Sequence, residues 1–382
     1  MISSNPLSRP LRRRPAAVLA LLAALGLVSA AGTGSAAATT TKATPRSTRP
    51  TTTPPRTHPA AFRVASTAPR GVVSGDSVIR IRFSLPLAPL AHVPQIKPAT
   101  AGRWSQPTPT TLEFTPAGAY LPGTGVTVTV PKGVRATDGA GLAHAVTFRY
   151  TTAAGSSQRL RELLAELQYL PVHVVSHGGP SRKDAAAQER AVYAPPRSRF
   201  RFGHGWSGGL HELWAHDNAL VVEGALMAFE SQHGLPLAGV AGQQAWRALL
   251  TAREHNQFNN AGYSYAVASE ASPESLTVYH DAHVVVQTPA NTGVAGAPTA
   301  LGTYPVYERL RSQTMQGTNL DGSHYSDFVQ WVAYFHGGDA VHYMPRSGYG
   351  SPQSLGCVEV PYAAAERAWG YLTYGTLVSV VG

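Results

Sequence analysis

The chain has 382 residues, too many for one ordinary domain, and its 37 Gly and 30 Pro imply two or three turn-rich domains of short strands rather than long helices. The net charge of +10 invites a nucleic-acid reading, but residues 1–61 hold eight basic residues and no Asp or Glu, and the remainder carries 23 basic against 21 acidic groups. The folded part is therefore nearly neutral, which argues against a nucleic-acid partner, and the single cysteine excludes an intramolecular disulfide and a cysteine-ligated metal site.

The N-terminus reads as an export signal over residues 1–38. Arg9, Arg12, Arg13 and Arg14 form a positive region, Ala16 to Ala31 an apolar run, and Ala36 to Ala38 offers a small-residue cleavage site. The run is short for a membrane span, so membrane attachment is expected only through an uncleaved signal. Residues 39–61, rich in Thr and Pro and without apolar periodicity, read as an extended linker.

Residues 62–152 read as a β domain. Val78–Phe83, Thr111–Phe114, Val126–Val130 and Val146–Tyr150 alternate apolar and polar residues, with Pro- and Gly-rich turns between them. A small β-sandwich follows, with no chemical constellation of its own. Tyr120, Pro122, Gly123 and Thr124 give this stretch a signature that resembles bacterial Ig-like domains, which implies a spacer or adhesion module.

In residues 155–255 the period changes. Leu160, Leu163, Leu164 and Leu167 fall on one helical face. Val222, Leu226 and Phe229 mark a second helix ended by Gly234, and Ala245, Leu249 and Leu250 a third. Ala225, Phe229, Gly234, Leu235, Gly239, Gly242 and Trp246 resemble the peptidoglycan-binding type 1 family. Ala238 stands where that family has Asp, and residues of about 175–215 read as an insertion. The resemblance implies a small three-helix wall-binding domain with glycan as its partner; a purely structural three-helix spacer is the other reading.

Residues 273–382 return to strands: a hairpin turning near Asp281, a strand at Phe328–Phe335, a turn at Gly337–Gly338, then Ala340 to Tyr343. A Gly/Pro/Ser-rich loop leads to Ser354–Pro361, followed by a helix and a closing strand. Cys357 lies in this last loop. A free cysteine is commonly a small buried hydrophobe. As a nucleophile it needs an imidazole to take its proton and amides to hold an oxyanion. Gly356 precedes it, and three imidazoles lie nearby: His324 in a polar loop, His336 before the glycine turn, and His342 on the strand. A strand-borne imidazole has a fixed direction, which suits a general base, and His336 remains the alternative.

The run from Phe335 to Val358 resembles the L,D-transpeptidase (YkuD-like) family through Phe335, Gly337 or Gly338, Ala340, Val341, His342, Gly350, Pro352, Ser354, Gly356, Cys357 and Val358. Gly293, Pro298, Thr299, Gly302, Thr303 and Tyr304 extend it upstream. It departs at Leu355 (His in the family), Glu359 (Arg or Asn) and Tyr343 (Gly). The resemblance implies Cys357 as nucleophile, His342 as base, the Gly356 and Cys357 amides as oxyanion donors, Ser354 as loop support, and Trp331, Tyr334, Leu355 and Glu359 along the substrate groove. It implies a secreted bacterial cell-wall enzyme acting on peptidoglycan stem peptides: the thiolate attacks a stem tetrapeptide, D-alanine leaves, and an amine of another stem resolves the thioester. No metal or cofactor is called for, since no HExxH or histidine spacing of a ligand set is present. Two further readings compete: a wall hydrolase of carboxypeptidase type using water as acceptor, and a non-catalytic wall-binding protein. Altogether a mainly β, multidomain chain is expected, with an Ig-like β-sandwich, a three-helix domain and a β-rich catalytic domain.

Overall fold

The computed structural model describes residues 61–89, 93–176 and 178–382. The expected export signal and all but the last residue of the linker lie outside the described residues. The chain is mainly β, and none of its described helices is long and apolar enough to cross a membrane.

The first domain pairs β1 (Val64–Ala68), β3 (Ile79–Phe83), β6 (Thr111–Pro116) and β5 (Gly102–Thr108) in one sheet. The second sheet orders β2 (Val72–Val73), β8 (Val146–Thr152), β7 (Gly125–Val130) and β4 (Gln95–Lys97). Period-2 alternation decides which side chains lie between the sheets: Ile79, Ile81 and Phe83 on β3 and Val126, Val128 and Val130 on β7 are all buried. The Tyr-x-Pro-Gly-Thr signature serves a second purpose. The Tyr120 carbonyl accepts a hydrogen bond from the Tyr193 hydroxyl (2.7 Å), and Thr124 Oγ1 accepts one from Gln243 (2.7 Å), so this edge is tied to the helical segment.

That segment contains α1 (Ser157–Glu166), β9 (Val172–Ser176), α2 (Ala185–Ala191), β10 (Ser198–Phe202), α3 (Gly208–His216), α4 (Asn218–Gln232) and α5 (Gln243–Glu254). The expected three helices are present as α1, α4 and α5, but two more, α2 and α3, and the antiparallel β9–β10 pair that brackets α2 occupy the inserted stretch. Those helices have seven and nine residues, so even the Leu210, Leu213 and Trp214 face of α3 spans too few turns to mark a helix by period alone. Leu163, Leu164, Leu167, Phe229, Trp246 and Leu249 form the shared core. Gly234 at φ +65° ends the turn after α4, and Glu230 Oε2 accepts the Ala238 and Gly239 amides (2.7 and 2.9 Å), closing the loop where the resembling family has Asp.

The last domain packs two sheets and a helix. The first sheet orders β13 (His283–Pro289), β12 (Ser275–His280), β11 (Ser264–Ser269), β19 (Leu377–Val381) and β14 (Gly302–Pro305). The second orders β15 (Glu308–Thr318), β16 (His324–His336), β17 (Asp339–Tyr343) and β18 (Val358–Val360), with α6 (Tyr362–Tyr371) between them. Leu276, Val278, Val341, Val358, Val360, Leu372 and Val378 fill the core. β11 precedes the boundary expected at 273 and pairs in parallel with the closing strand. The β12–β13 turn places Asp281 and Ala282 at φ +45° and +66°, the two-residue loop that matches the twist of a hairpin. The helical segment docks on the far edge of this domain: Tyr265 and Leu377 join its core, and Gly224 lies so close to the Gly375 carbonyl that a Cβ would stand 2.4 Å from that oxygen.

Candidate active site

β17 and β18 run parallel with Val341 opposite Val358 and His342 opposite Glu359. Cys357, one residue ahead of β18, stands level with Ala340. Side chains alternate along strands, so Ala340, His342, Cys357 and Glu359 share one face, while Val341, Val358 and Val360 turn into the core. That face opens on a groove of about 1020 Å³ whose lining includes Cys357, His342, Glu359, Ser354, Leu355 and Tyr334. The long β15–β16 hairpin supplies the opposite wall with Gln313, Met315 and Tyr325.

His342 is buried, 2% exposed. Its Nδ1 lies 3.1 Å from the Tyr343 carbonyl, which can only accept, so Nδ1 carries the proton and Nε2 of the neutral ring is left as the acceptor. Burial pushes the imidazole pKa below its ordinary value, against the Tyr343 carbonyl and the Glu359 charge, which raise it. The Cys357 thiol is pushed up to about 12, chiefly by burial, with Asp339 and Glu359 adding to the rise and the Ala340 amide opposing it. The resting pair is thus a neutral thiol and a neutral imidazole.

The turn before the thiol is built by Ser354. Its Oγ donates to the Cys357 carbonyl (2.6 Å) and accepts the Gly356 amide (3.2 Å). The Gly356 N–H, expected as an oxyanion donor, is taken up in this turn by the Ser354 hydroxyl. Only glycine fits at 356, where φ is +116° and a Cβ would meet Asp339 Oδ1 at 2.5 Å.

The other expected site residues divide. Tyr334 lines the groove and its hydroxyl accepts from Gln313 (2.8 Å); Leu355 lines it at the mouth, 38% exposed. Trp331 does not line it. Tyr334 packs with Val329 and Val332 on the groove side, whereas Trp331 packs on the core side against Trp369 and Tyr362 from α6, with ring centroids 5.6 and 6.2 Å apart. Its φ of +60° marks an irregularity of β16 between Gln330 and Ala333. His336 also stands outside the groove lining: its ring leans on Tyr304 (4.3 Å between centroids), and Nδ1 lies 3.5 Å from Asp339 Oδ2. His324 is exposed at the start of β16.

Arg346, Asn291 and Glu274 carried no sequence signal, and the structure joins them to the expected Glu359. Glu359, 2% exposed, is held by Arg346 in a two-pronged ion pair, Nε to Oε2 at 2.7 Å and Nη2 to Oε1 at 2.6 Å. Breaking that pair by removing Arg346 alone would strand a buried charge, a cost of about 3–5 kcal/mol. Asn291, fully buried, gathers the loop: its Oδ1 accepts from Gly350 (3.0 Å) and Gln353 (3.1 Å), and its backbone bonds Glu359 in both directions at 2.9 Å. Buried Glu274 accepts the Thr292 amide at 2.6 Å. The family resemblance includes the neighbouring Gly293, but nothing in the sequence marks Asn291 as the hub. Among the described residues no group of three or more His, Cys, Asp or Glu could hold a metal ion.

Comparison with known proteins agrees with the two β domains. Residues 264–380 match the family model of the L,D-transpeptidase catalytic domain, and residues 56–152 that of a bacterial Ig-like domain. The likeness of residues 225–246 to wall-binding modules lies outside both matches. No curated protein sequence matches the chain. Similar solved structures include an L,D-transpeptidase from Mycobacterium smegmatis (15% identity, 84% of this chain and 98% of that one, TM-score 0.29). Others are L,D-transpeptidase 3 from Mycobacterium tuberculosis with a faropenem-derived adduct (14%, 84% and 98%, 0.30) and the catalytic domain of the E. faecium L,D-transpeptidase (24%, 32% and 99%, 0.29). These overlays are loose, and the assignment rests on the family matches: the chain carries an L,D-transpeptidase catalytic domain preceded by a bacterial Ig-like domain.

Proposed function

We propose that this protein is an exported peptidoglycan L,D-transpeptidase in which Cys357 is the nucleophile and His342 the base. The observation that carries the reading is that both side chains stand on one face of the β17–β18 pair and line one groove, with Nε2 of His342 left as acceptor. The thiol gives its proton to Nε2 as sulfur attacks the carbonyl between diaminopimelate and the terminal D-alanine of a donor stem. The imidazolium returns that proton to the leaving amine, and D-alanine departs. An amine of a second stem then attacks the thioester, and the thiol is regenerated.

Because both partners rest neutral, proton transfer accompanies attack instead of preceding it, and the thiol stays protected until substrate arrives. Alkylation of the full chain by iodoacetamide is therefore expected to be slow at pH 7 and to climb about tenfold per pH unit past pH 9, following the thiolate fraction. A rate that levels off near neutrality would instead reveal a preformed thiolate–imidazolium pair.

The deciding experiment incubates the full chain with a disaccharide-tetrapeptide and resolves the products by mass. Dimers joined between two diaminopimelate residues, with free D-alanine, are expected. Tripeptide alone would make water the acceptor and the protein a hydrolase, while unchanged substrate would leave a non-catalytic wall protein.

A further inference from the structure

Glu359 places an acid where the resembling family carries Arg or Asn, which reads in the sequence as a loss. In the structure a cation stands beside it. Arg346 comes from the loop after β17, and its guanidinium lines the groove that holds Cys357 and His342. Glu359 holds Nε and Nη2, and Nη2 also reaches the Gln353 carbonyl (3.4 Å). Nη1 has no hydrogen-bond partner among the described residues, and the side chain keeps 27% of its surface exposed. A planar guanidinium clamped along one edge has little rotamer freedom left, so its remaining edge is aimed in advance. Glu359 is itself fixed by two backbone bonds to Asn291, so the clamp is anchored to the same hub as the loop ahead of the nucleophile. Asp327, also in the lining, helps hold Arg346 charged, and Asp339 and Asp321 make the rest of the groove a poor place for a second anion.

From this arrangement we infer that Arg346, seated by Glu359, is the anchor for a free carboxylate of the donor stem peptide. The inference rests on the transpeptidase reading above. A donor stem offers two such carboxylates: the terminus of the D-alanine that leaves and the side-chain carboxylate of diaminopimelate. One of them pairs with Nη1 and brings the scissile carbonyl to Cys357.

The test uses the full chain and three donors: the free tetrapeptide, the same peptide amidated at D-alanine, and the same peptide amidated on diaminopimelate. The wild-type protein is expected to lose about 10- to 100-fold in kcat/KM, mostly through KM, on the one amidated donor that lacks the anchored group. Arg346→Gln is expected to remove that discrimination. Because this variant strands the Glu359 charge, the paired variant Arg346→Gln/Glu359→Gln is measured beside it, with thermal unfolding as a check of folding. The pair is expected to fold, to turn over all three donors at the rate of the poor one, and to discriminate no longer. Equal use of the three donors by wild type overturns the anchor while leaving the transferase intact. Full discrimination in the paired variant also overturns it, since Arg346 would then serve only to neutralise Glu359. If wild type consumes none of the donors, the transpeptidase reading falls and the anchor with it.

Discussion

Cys357→Ala is expected to abolish cross-link formation, a loss of about 10⁴-fold or more, because a covalent route cannot proceed without its nucleophile. The same variant should be blind to β-lactams. Incubation of the full chain with a carbapenem and measurement of intact mass should show a single adduct on wild type and none on Cys357→Ala. The substitution removes only one sulfur from a half-buried position, and Ser354 and Gly356 still close the turn through backbone and hydroxyl bonds, so the fold should persist. An adduct on Cys357→Ala, or a folded wild type that takes none, would make the cysteine structural.

Replacing His342 has the second largest effect. His342→Gln keeps a polar group on β17 but cannot take the thiol proton as imidazole does, and a loss of about 10²- to 10⁴-fold in kcat is expected. His336→Ala should stay within about threefold of wild type on the same scale, since that ring rests on Tyr304 beside Asp339 and stands outside the groove lining. The contrast is informative in one assay of stem-peptide turnover. A dead His336→Ala protein beside an active His342→Gln protein would reverse the assignment. The depressed imidazole pKa adds a sign: His342 remains unprotonated down through mildly acidic pH, so the acid limb of kcat/KM should fall below the ordinary histidine range.

Much of the fold and the two central residues of the site are legible in the sequence. Strand alternation predicted the buried residues of β3 and β7, helical spacing the leucines of α1, and the turn near Asp281 a hairpin whose two left-handed residues the structure contains. Cys357 stood out by being alone, and His342 by its place on a strand ahead of a glycine-rich loop. The misses have physical reasons. Helix α2 has only seven residues and no apolar stripe, and α3 packs Leu210, Leu213 and Trp214 into its domain's core from nine residues, too short a run to stand out in the sequence. Its aromatic type suggests Trp331 for the groove wall, whereas a backbone irregularity at this position sets it against α6. Gly356 was assigned an oxyanion amide that the Ser354 hydroxyl already occupies.

Local order in the chain thus determined the kinds of element, the candidate nucleophile and the strand that bears its base, because those depend on period and on neighbours a few residues apart. Tertiary structure alone decided which groups meet over the groove. Parallel pairing of β17 with β18 sets His342 beside Glu359, and Asn291 draws in the loop that carries Arg346 past them. Register between distant strands and the burial of a charge with its partner are properties of the packed chain, so the cation that answers Glu359 could not be read from position 359.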